Sequence, residues 1–235
     1  MTKAKVLYVA NTKAYLSFKQ ACSWLDESRE KLTDLAKHST VVVCPPFVSL
    51  DYAHQELAST HIAWGAQNCS AHQSGPYTGQ ITAHSLSELG CTYCLVGHSE
   101  TRSFTAPQEV AEKISQLLAY QITPIVCISS ATSLELEPIT QALEKNHSLP
   151  FLIAYEPLEA VGSGKVVTVS HLQDTLQNIK RQLSEYQQDT HYHLLYGGSV
   201  TATTVKPLKA IADLDGFLVG KACTKVAEFR AIIEA

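Results

Sequence analysis

The sequence Phe151-Leu-Ile-Ala-Tyr155-Glu156-Pro157 places a carboxylate and a proline directly after a short apolar run. Such a run is long enough for one buried strand and too short for a buried helix. Small, flexible residues around Gly162 and Gly164 follow, and a proline hinge opposed by a glycine hinge is typical of a short lid. Two interpretations are open: a catalytic base beside a lid, or a surface glutamate on a solvated loop.

Composition excludes several classes of protein. The chain has 235 residues, 45% of them hydrophobic, with a formal net charge of −4, which argues against a nucleic-acid partner or an anionic membrane surface. The first apolar run is too brief for a secretory signal, and no stretch is long enough to span a bilayer. We therefore expect a soluble, cytoplasmic protein without a membrane partner.

The cysteines indicate a reducing environment. Seven cysteines, an odd number, lie mostly inside apolar runs, as in reduced cytosolic proteins. Cys91 and Cys94 form a C-x-x-C pair, but no second pair completes a zinc site. We expect no metal site and no cofactor.

Eight short apolar runs alternate with stretches of helical spacing. One such stretch carries a single apolar stripe of Leu172, Leu176, Ile179 and Leu183. The runs are Val6–Ala10, Val41–Cys44, Ile62–Ala66, Tyr93–Val96, Pro124–Ile128, Phe151–Tyr155, His193–Tyr196 and Gly216–Val219. This alternation predicts an α/β protein with one closed (β/α)8 barrel over residues 1–235. An open doubly wound sheet is the alternative, but the Gly-x-Gly-x-x-Gly turn that usually marks it is absent after the first run.

Polar residues follow several of these runs, at the end of a barrel where chemistry gathers. Asn11 and Lys13 follow the first run, His98 and Glu100 the fourth, and Glu156 the sixth. Each also has an ordinary interpretation, because a lysine past a strand is usually solvated and a lone histidine is usually structural. A helix beginning near His98 would favour its neutral ring.

Glycine-rich turns follow the seventh and eighth runs. Gly197, Gly198 and Ser199 follow one, and Gly220 and Lys221 follow the other. Exposed backbone N–H groups in such turns bind anions, and barrels commonly bind phosphate at these two loops. A single turn of this kind is explained equally well by packing, whereas two neighbouring ones favour a phosphate site.

Together these motifs resemble the triosephosphate isomerase family from the first strand to the eighth. The motifs, in chain order, are Asn11-x-Lys13, Val96-Gly-His98-Ser-Glu100, Ala154-Tyr-Glu156-Pro, Gly162-Ser-Gly-Lys165, Tyr196-Gly-Gly-Ser199-Val and Asp215-Gly-Phe-Leu-Val-Gly220. The resemblance implies interconversion of dihydroxyacetone phosphate and glyceraldehyde 3-phosphate through an enediolate, in glycolysis and gluconeogenesis. Tuned pKa values and closure of a lid over the substrate are known features of that family.

The resemblance also implies residue roles. Glu156 is the base, and neutral His98 donates to the substrate oxygens and shuttles protons between them. Lys13 stabilises negative charge beside Asn11, and Glu100 orients Lys13. The backbone N–H groups of Gly162, Ser199, Gly220 and Lys221 hold the phosphate of the substrate. A closing lid excludes water.

The chain departs from the family pattern at several positions. Lys221 replaces a usual glycine. A lysine keeps the backbone N–H, so the set of N–H groups that binds the phosphate, here called the phosphate cradle, is retained if the φ of Lys221 is negative. Its ammonium either reinforces phosphate binding or crowds the site. Thr12 and Glu159 replace usual tryptophans, which puts the packing of the lid in doubt. The run Cys127-Ile-Ser-Ser lacks the usual Gly-Glu.

The long loop Cys69–Gln80 is expected to be functional or to interact with something, because loops of this length in a compact domain usually are. It resembles the arm that a second subunit accepts, with Thr78 at its tip, which implies a homodimer. Gln80 replaces a usual glutamate, so we expect altered polar contacts at the interface.

Two other functions are weighed. A binding protein on the same barrel that holds phosphorylated ligands without turnover is consistent with Lys221, Thr12 and Glu159. A Schiff-base aldolase needs a desolvated lysine within a strand, and no predicted strand after the first contains a lysine.

Overall fold

The computed structural model describes residues 5–145, 150–159, 167–184 and 192–235. Within these ranges, strands and helices alternate along the chain. The strands are β1 (Leu7–Asn11), β2 (Thr40–Cys44), β3 (Ala63–Ala66), β4 (Tyr93–Val96), β5 (Thr123–Ile128), β6 (Phe151–Tyr155), β7 (Tyr192–Tyr196) and β8 (Gly216–Val219). The helices are α1 (Phe18–Leu32), α2 (Leu50–Leu57), α3 (Ala83–Glu88), α4 (Pro107–Ala119), α5 (Ser133–Lys145), α6 (Val169–Ser184), α7 (Ala202–Leu208) and α8 (Val226–Glu234).

The sheet is closed and all of its strand pairs are parallel. Strands follow chain order around the barrel, and β1 pairs with β8 from Leu7 opposite Gly216 to Ala10 opposite Val219. The predicted α/β class and closed (β/α)8 barrel are confirmed, and the open sheet is wrong. Each predicted apolar run matches its strand to within one residue at either end.

Two apolar clusters fill the space on either side of the sheet. Alternate strand residues such as Val9 and Ala154 belong to a small cluster inside the barrel. Their neighbours, such as Tyr8 and Ile153, belong to a larger cluster between sheet and helices. Successive side chains on a strand point to opposite faces, which produces this division. The predicted stripe of α6, from Leu172 to Leu183, is buried in the larger cluster.

All seven cysteines are free thiols. Cys22 is partly exposed and the other cysteines are buried. Burial raises the pKa of the thiols of Cys44, Cys91 and Cys223. Cys91 lies before β4 and not within it. Within the described ranges, no helix has the length and apolar character that a membrane span requires.

Candidate active site

The inward-facing positions of the strands continue into the site. Asn11 comes two residues after Val9, and Glu156 two residues after Ala154; both of these strand residues belong to the interior cluster. A period of two keeps Asn11 and Glu156 on the inner face, at the carboxyl end of the barrel. Both side chains are buried, with exposures of 4% and 3%.

The base candidate Glu156 is packed tightly against β7. Its backbone N–H donates to the carbonyl of Ile128 at 2.7 Å. A Cβ on Gly197 would lie 2.6 Å from Cγ of Glu156, so only glycine admits the carboxylate here. Burial, followed by the nearby charge of Glu156, raises the pKa of the Cys127 thiol. The thiol therefore stays protonated beside the carboxylate.

A glycine turns His98 toward the site. Gly97 has a φ of +67°, a conformation that residues with a Cβ rarely adopt, and it interrupts the alternation at the end of β4. The backbone N–H of Glu100 donates to Nδ1 of His98 at 3.2 Å, which places the proton of the neutral ring on Nε2. The helix start expected near His98 lies further on, at the 3₁₀ turn Arg102–Phe104.

His98 and Glu156 meet across the mouth of the barrel. Nε2 of His98 lies 3.2 Å from Oε1 of Glu156. The two groups are close but not aligned as a hydrogen bond, since Nε2 of His98 and Oε2 of Glu156 lack partners among the described residues. Buried polar atoms of this kind are rare, because leaving one unpaired is costly.

Lys13 and Glu100 lie together at the rim. Nζ of Lys13 is 2.8 Å from Oε1 of Glu100, with the lysine side chain 15% exposed and the glutamate 56%. A Cβ on Gly220 would lie 3.9 Å from that ammonium. The lysine cation is therefore adjacent to the glycine turn that follows β8.

A cleft of about 360 Å³ opens beside these groups. Lys221 is the first residue of the 3₁₀ helix Lys221–Thr224, and its side chain is exposed. Its φ is negative, which is the condition for a lysine to replace glycine in the phosphate cradle. His98 is not among the residues that line the cleft, but its Nε2 lies 3.2 Å from Oε1 of Glu156, which does line it. The predicted residues that line the cleft are Asn11, Lys13, Glu156, Ser199, Gly220 and Lys221. Gly162 and the predicted lid, at residues 160–166, lie outside the described residues.

Two threonines that the sequence reasoning missed organise the turn after β7. The hydroxyl of Thr204 donates to the carbonyl of Ser199 at 3.0 Å. Thr201 caps α7 and forms a capping box with Thr204, which ties the Ser199 turn to the helix. In the sequence, the Thr201-x-x-Thr204 spacing is the signal for this capping box.

The turn after β5 is held by a carboxylate from α5. Glu135 accepts the backbone N–H and hydroxyl of Ser129 and the N–H of Ser130, and pairs with Arg102 at 2.7 Å. Burial raises the pKa of Glu135, but hydrogen bonds from Ser129 and Ser130 and the charge of Arg102 bring it below its usual range. The Arg102 guanidinium also donates to the carbonyls of Gly97 and Cys127. This network joins the loop after β4, which contains His98, to the turn after β5.

The loop that contains Thr78 projects from the barrel. The backbone N–H of Ser70 donates to the carbonyl of Ile81 at 2.7 Å and closes the base of the loop. Residues 72–80 are exposed. The tip also holds a stacked pair, His72 on Tyr77, with ring centroids 4.1 Å apart.

Exposed apolar side chains follow the first four strands in barrel order. Tyr15 follows β1, Val48 follows β2, Tyr77 lies in the loop after β3, and Phe104 follows β4; their exposures range from 40% to 70%. Each of the four neighbouring loops after β1 to β4 therefore presents one exposed apolar side chain at the carboxyl end of the barrel.

Comparison with known proteins identifies the family. A family model described as triosephosphate isomerase matches residues 6–235. The chain is 35% identical to the triosephosphate isomerase of Thermus thermophilus, over 97% of this chain and 98% of that protein. It is 34% identical to that of Bordetella pertussis, over 97% and 96%, and 34% identical to that of Colwellia psychrerythraea, over 86% and 87%. On the extent of the family match and on these relatives, the chain belongs to the triosephosphate isomerase family.

Proposed function

We propose that this chain interconverts dihydroxyacetone phosphate and D-glyceraldehyde 3-phosphate, in glycolysis and gluconeogenesis. The observation that carries the proposal is the pair of buried, unpartnered polar atoms, Nε2 of His98 and Oε2 of Glu156. A substrate with adjacent carbon-bound protons and oxygens supplies partners for both.

The reaction is an internal proton transfer. Glu156 removes a proton from the carbon beside the carbonyl of dihydroxyacetone phosphate, and the electron pair moves onto the carbonyl oxygen to form an enediolate. His98 donates from Nε2 to the oxygens and moves a proton between them. Glu156 then returns its proton to the neighbouring carbon. Substrate and product have the same composition, so no redox cofactor or co-reactant is required.

Lys13 and Asn11 stabilise the charged intermediate. The Lys13 ammonium has a fixed partner in Glu100 at 2.8 Å, and it needs little reorganisation when charge develops on the oxygens. The amide of Asn11 adds a polar contact at the end of β1.

The phosphate binds to backbone N–H groups at the loops after β7 and β8. The groups proposed are those of Ser199, Gly220 and Lys221, with Gly162 completing the set from the lid. Lys221 is the first residue of its helical turn, where backbone N–H groups have no intrahelical partner. The lid would exclude water from the enediolate, which otherwise expels phosphate.

The proposed assembly is a homodimer through the loop around Thr78. The exposed apolar side chains Tyr15, Val48, Tyr77 and Phe104, one on each of four neighbouring loops, support it, because apolar residues grouped on one end of a protein are typical of interaction sites. The net charge of −4 supports an enzyme without a nucleic-acid or anionic-membrane partner. The free and mostly buried cysteines support a cytoplasmic location.

A coupled assay tests the function. Purified protein is supplied with glyceraldehyde 3-phosphate and formation of dihydroxyacetone phosphate is followed, beside a Glu156→Gln variant. We expect fast turnover in the parent chain and a loss of at least about a thousandfold in the variant, because the base is removed. Absence of turnover combined with tight binding of 2-phosphoglycolate, a phosphorylated mimic of the enediolate, would identify a binding protein instead.

A further inference from the structure

Lys13 has a backbone conformation that its side chain does not favour. Its φ is +49°, and among the described residues only Gln121 shares a positive φ without being glycine. In this region the Cβ atom of an L-residue crowds the following carbonyl. Such a conformation persists only where surrounding groups fix it, and outliers of this kind cluster at functional sites.

Three hydrogen bonds hold Lys13 at three different points. Its N–H donates to Oδ1 of Asn11 at 3.0 Å, and its ammonium donates to Glu100 at 2.8 Å. Its carbonyl accepts a bond of 3.0 Å from Nε2 of Gln67. Asn11 and Glu100 are part of the proposed machinery, whereas Gln67 has no role in it.

The amide of Gln67 connects the carboxyl ends of three strands. Gln67 is the first residue after β3, and its Nε2 also donates to the carbonyl of Cys44 at the end of β2, again at 3.0 Å. That carbonyl further accepts the N–H and hydroxyl of Thr12, each at 3.3 Å. A primary amide has two N–H bonds, and the two contacts of 3.0 Å use both.

We propose that Gln67 is the positioning residue for Lys13. Its amide fixes the left-handed turn at the end of β1 and thereby holds the ammonium beside Gly220 before the substrate arrives. A displacement of this turn moves the cation relative to both the phosphate cradle and the developing enediolate. The inference rests on the proposed function, since it assigns Gln67 to the step that Lys13 assists.

The test removes the two donors while keeping the length of the side chain. Gln67→Met is compared with Gln55→Met, a matched change at an exposed glutamine of α2 whose amide donates to Asp51 in its own helix. We expect Gln67→Met to lower kcat/KM by about tenfold to a hundredfold, because small displacements of a catalytic group have effects of this size. Gln55→Met should change kcat/KM by less than about twofold.

A double-mutant cycle separates positioning from a general structural role. The dissociation constant of 2-phosphoglycolate is measured for Gln67→Met in the parent chain and in a Lys13→Met background. We expect a weakening of about tenfold in the parent and less than about twofold without the ammonium. An equal loss in both backgrounds would show that Gln67 acts independently of Lys13 and overturn the inference.

Two further outcomes are decisive. An active parent chain whose kcat/KM is unchanged by Gln67→Met overturns the inference and leaves the proposed function standing. A parent chain without turnover overturns the proposed function, and the binding cycle still tests the role of Gln67. If Gln67→Met does not fold, Gln67→Asn retracts the same amide by one methylene and is put through the same cycle.

Discussion

Nε2 of His98 and Oε1 of Glu156 lie 3.2 Å apart, yet the donor and the second carboxylate oxygen are both buried without a partner in the described part of the chain. An unpaired buried polar atom costs roughly 1–3 kcal/mol. Hydrogen bonds to a substrate recover this cost, so the site is organised for a ligand and not for its own stability.

Shortening the base should affect turnover and not affinity. Glu156→Asp retracts the carboxylate by one methylene from a position fixed by Gly197, and we expect kcat to fall roughly a hundredfold with KM changed less than about threefold. Glu30→Asp, the same change at an exposed residue of α1, is the control. Steady-state kinetics give kcat and KM for both variants. An unchanged kcat for Glu156→Asp would show that this residue is not the base.

The ammonium of Lys221 should strengthen phosphate binding. Lys221 lines the cleft with an exposed side chain, and an exposed ion pair contributes up to about 1 kcal/mol. Lys221→Ala should therefore raise KM by about twofold to fivefold without changing kcat, and salt should reduce the difference. Lys225→Ala, which removes an exposed lysine paired with Glu228, serves as the control. A lower KM in Lys221→Ala would mean that the lysine crowds the site.

Stability should depend on pH through His193. The carboxylate of Asp215, whose Oδ1 lies 3.6 Å from Nδ1, raises the pKa of His193 above its ordinary value. The protonated ring therefore stabilises the folded state. This contribution is complete below about pH 6.5, the ordinary pKa of histidine, and is lost as pH rises through the raised pKa.

The difference in unfolding free energy between the parent and Asp215→Asn measures this contribution. The asparagine retains an oxygen to accept the N–H of Leu194, which Asp215 binds at 2.8 Å. Urea unfolding should show a larger difference at about pH 5.5 than at about pH 8.5. A difference that is the same at both pH values would exclude His193 as its source.

A charge at the tip of the long loop should dissociate the dimer. Thr78→Arg places an unpaired cation in the proposed interface, and we expect the dimer dissociation constant to rise at least about a hundredfold. Thr92→Arg, at an exposed site before β4 and at the opposite end of the barrel, should leave it unchanged. Sedimentation velocity over a concentration series gives both constants. A parent chain that is monomeric at every concentration contradicts the homodimer itself.

Local patterns were sufficient to predict the barrel. Phe151–Tyr155 is apolar throughout because a strand of a parallel barrel is buried on both faces, and its bounds match β6. The placement of Glu156 and Asn11 also follows from the sequence, since each occupies the next inward position after a strand residue. The apolar runs and the two-residue period of the strands therefore predict the fold and part of the site.

Contacts between distant loops could not be predicted in this way. The carbonyls that Gln67 binds belong to residues 23 and 54 positions away, and no repeat or spacing in the chain marks that convergence. Glu135 shows the same limit, because nothing in the sequence indicates that a carboxylate from α5 accepts the N–H groups of the turn after β5. The folded chain alone reveals such pairings.

The six buried thiols can report local unfolding of the barrel. A protonated thiol shielded from solvent does not react with an alkylating reagent, because the thiolate is the nucleophile. Cys44 and Cys127 face the barrel interior, whereas Cys91 and Cys223 lie between sheet and helices. Mass spectrometry after a pulse of reagent thus resolves which layer is breached first, and reads local unfolding without any introduced label.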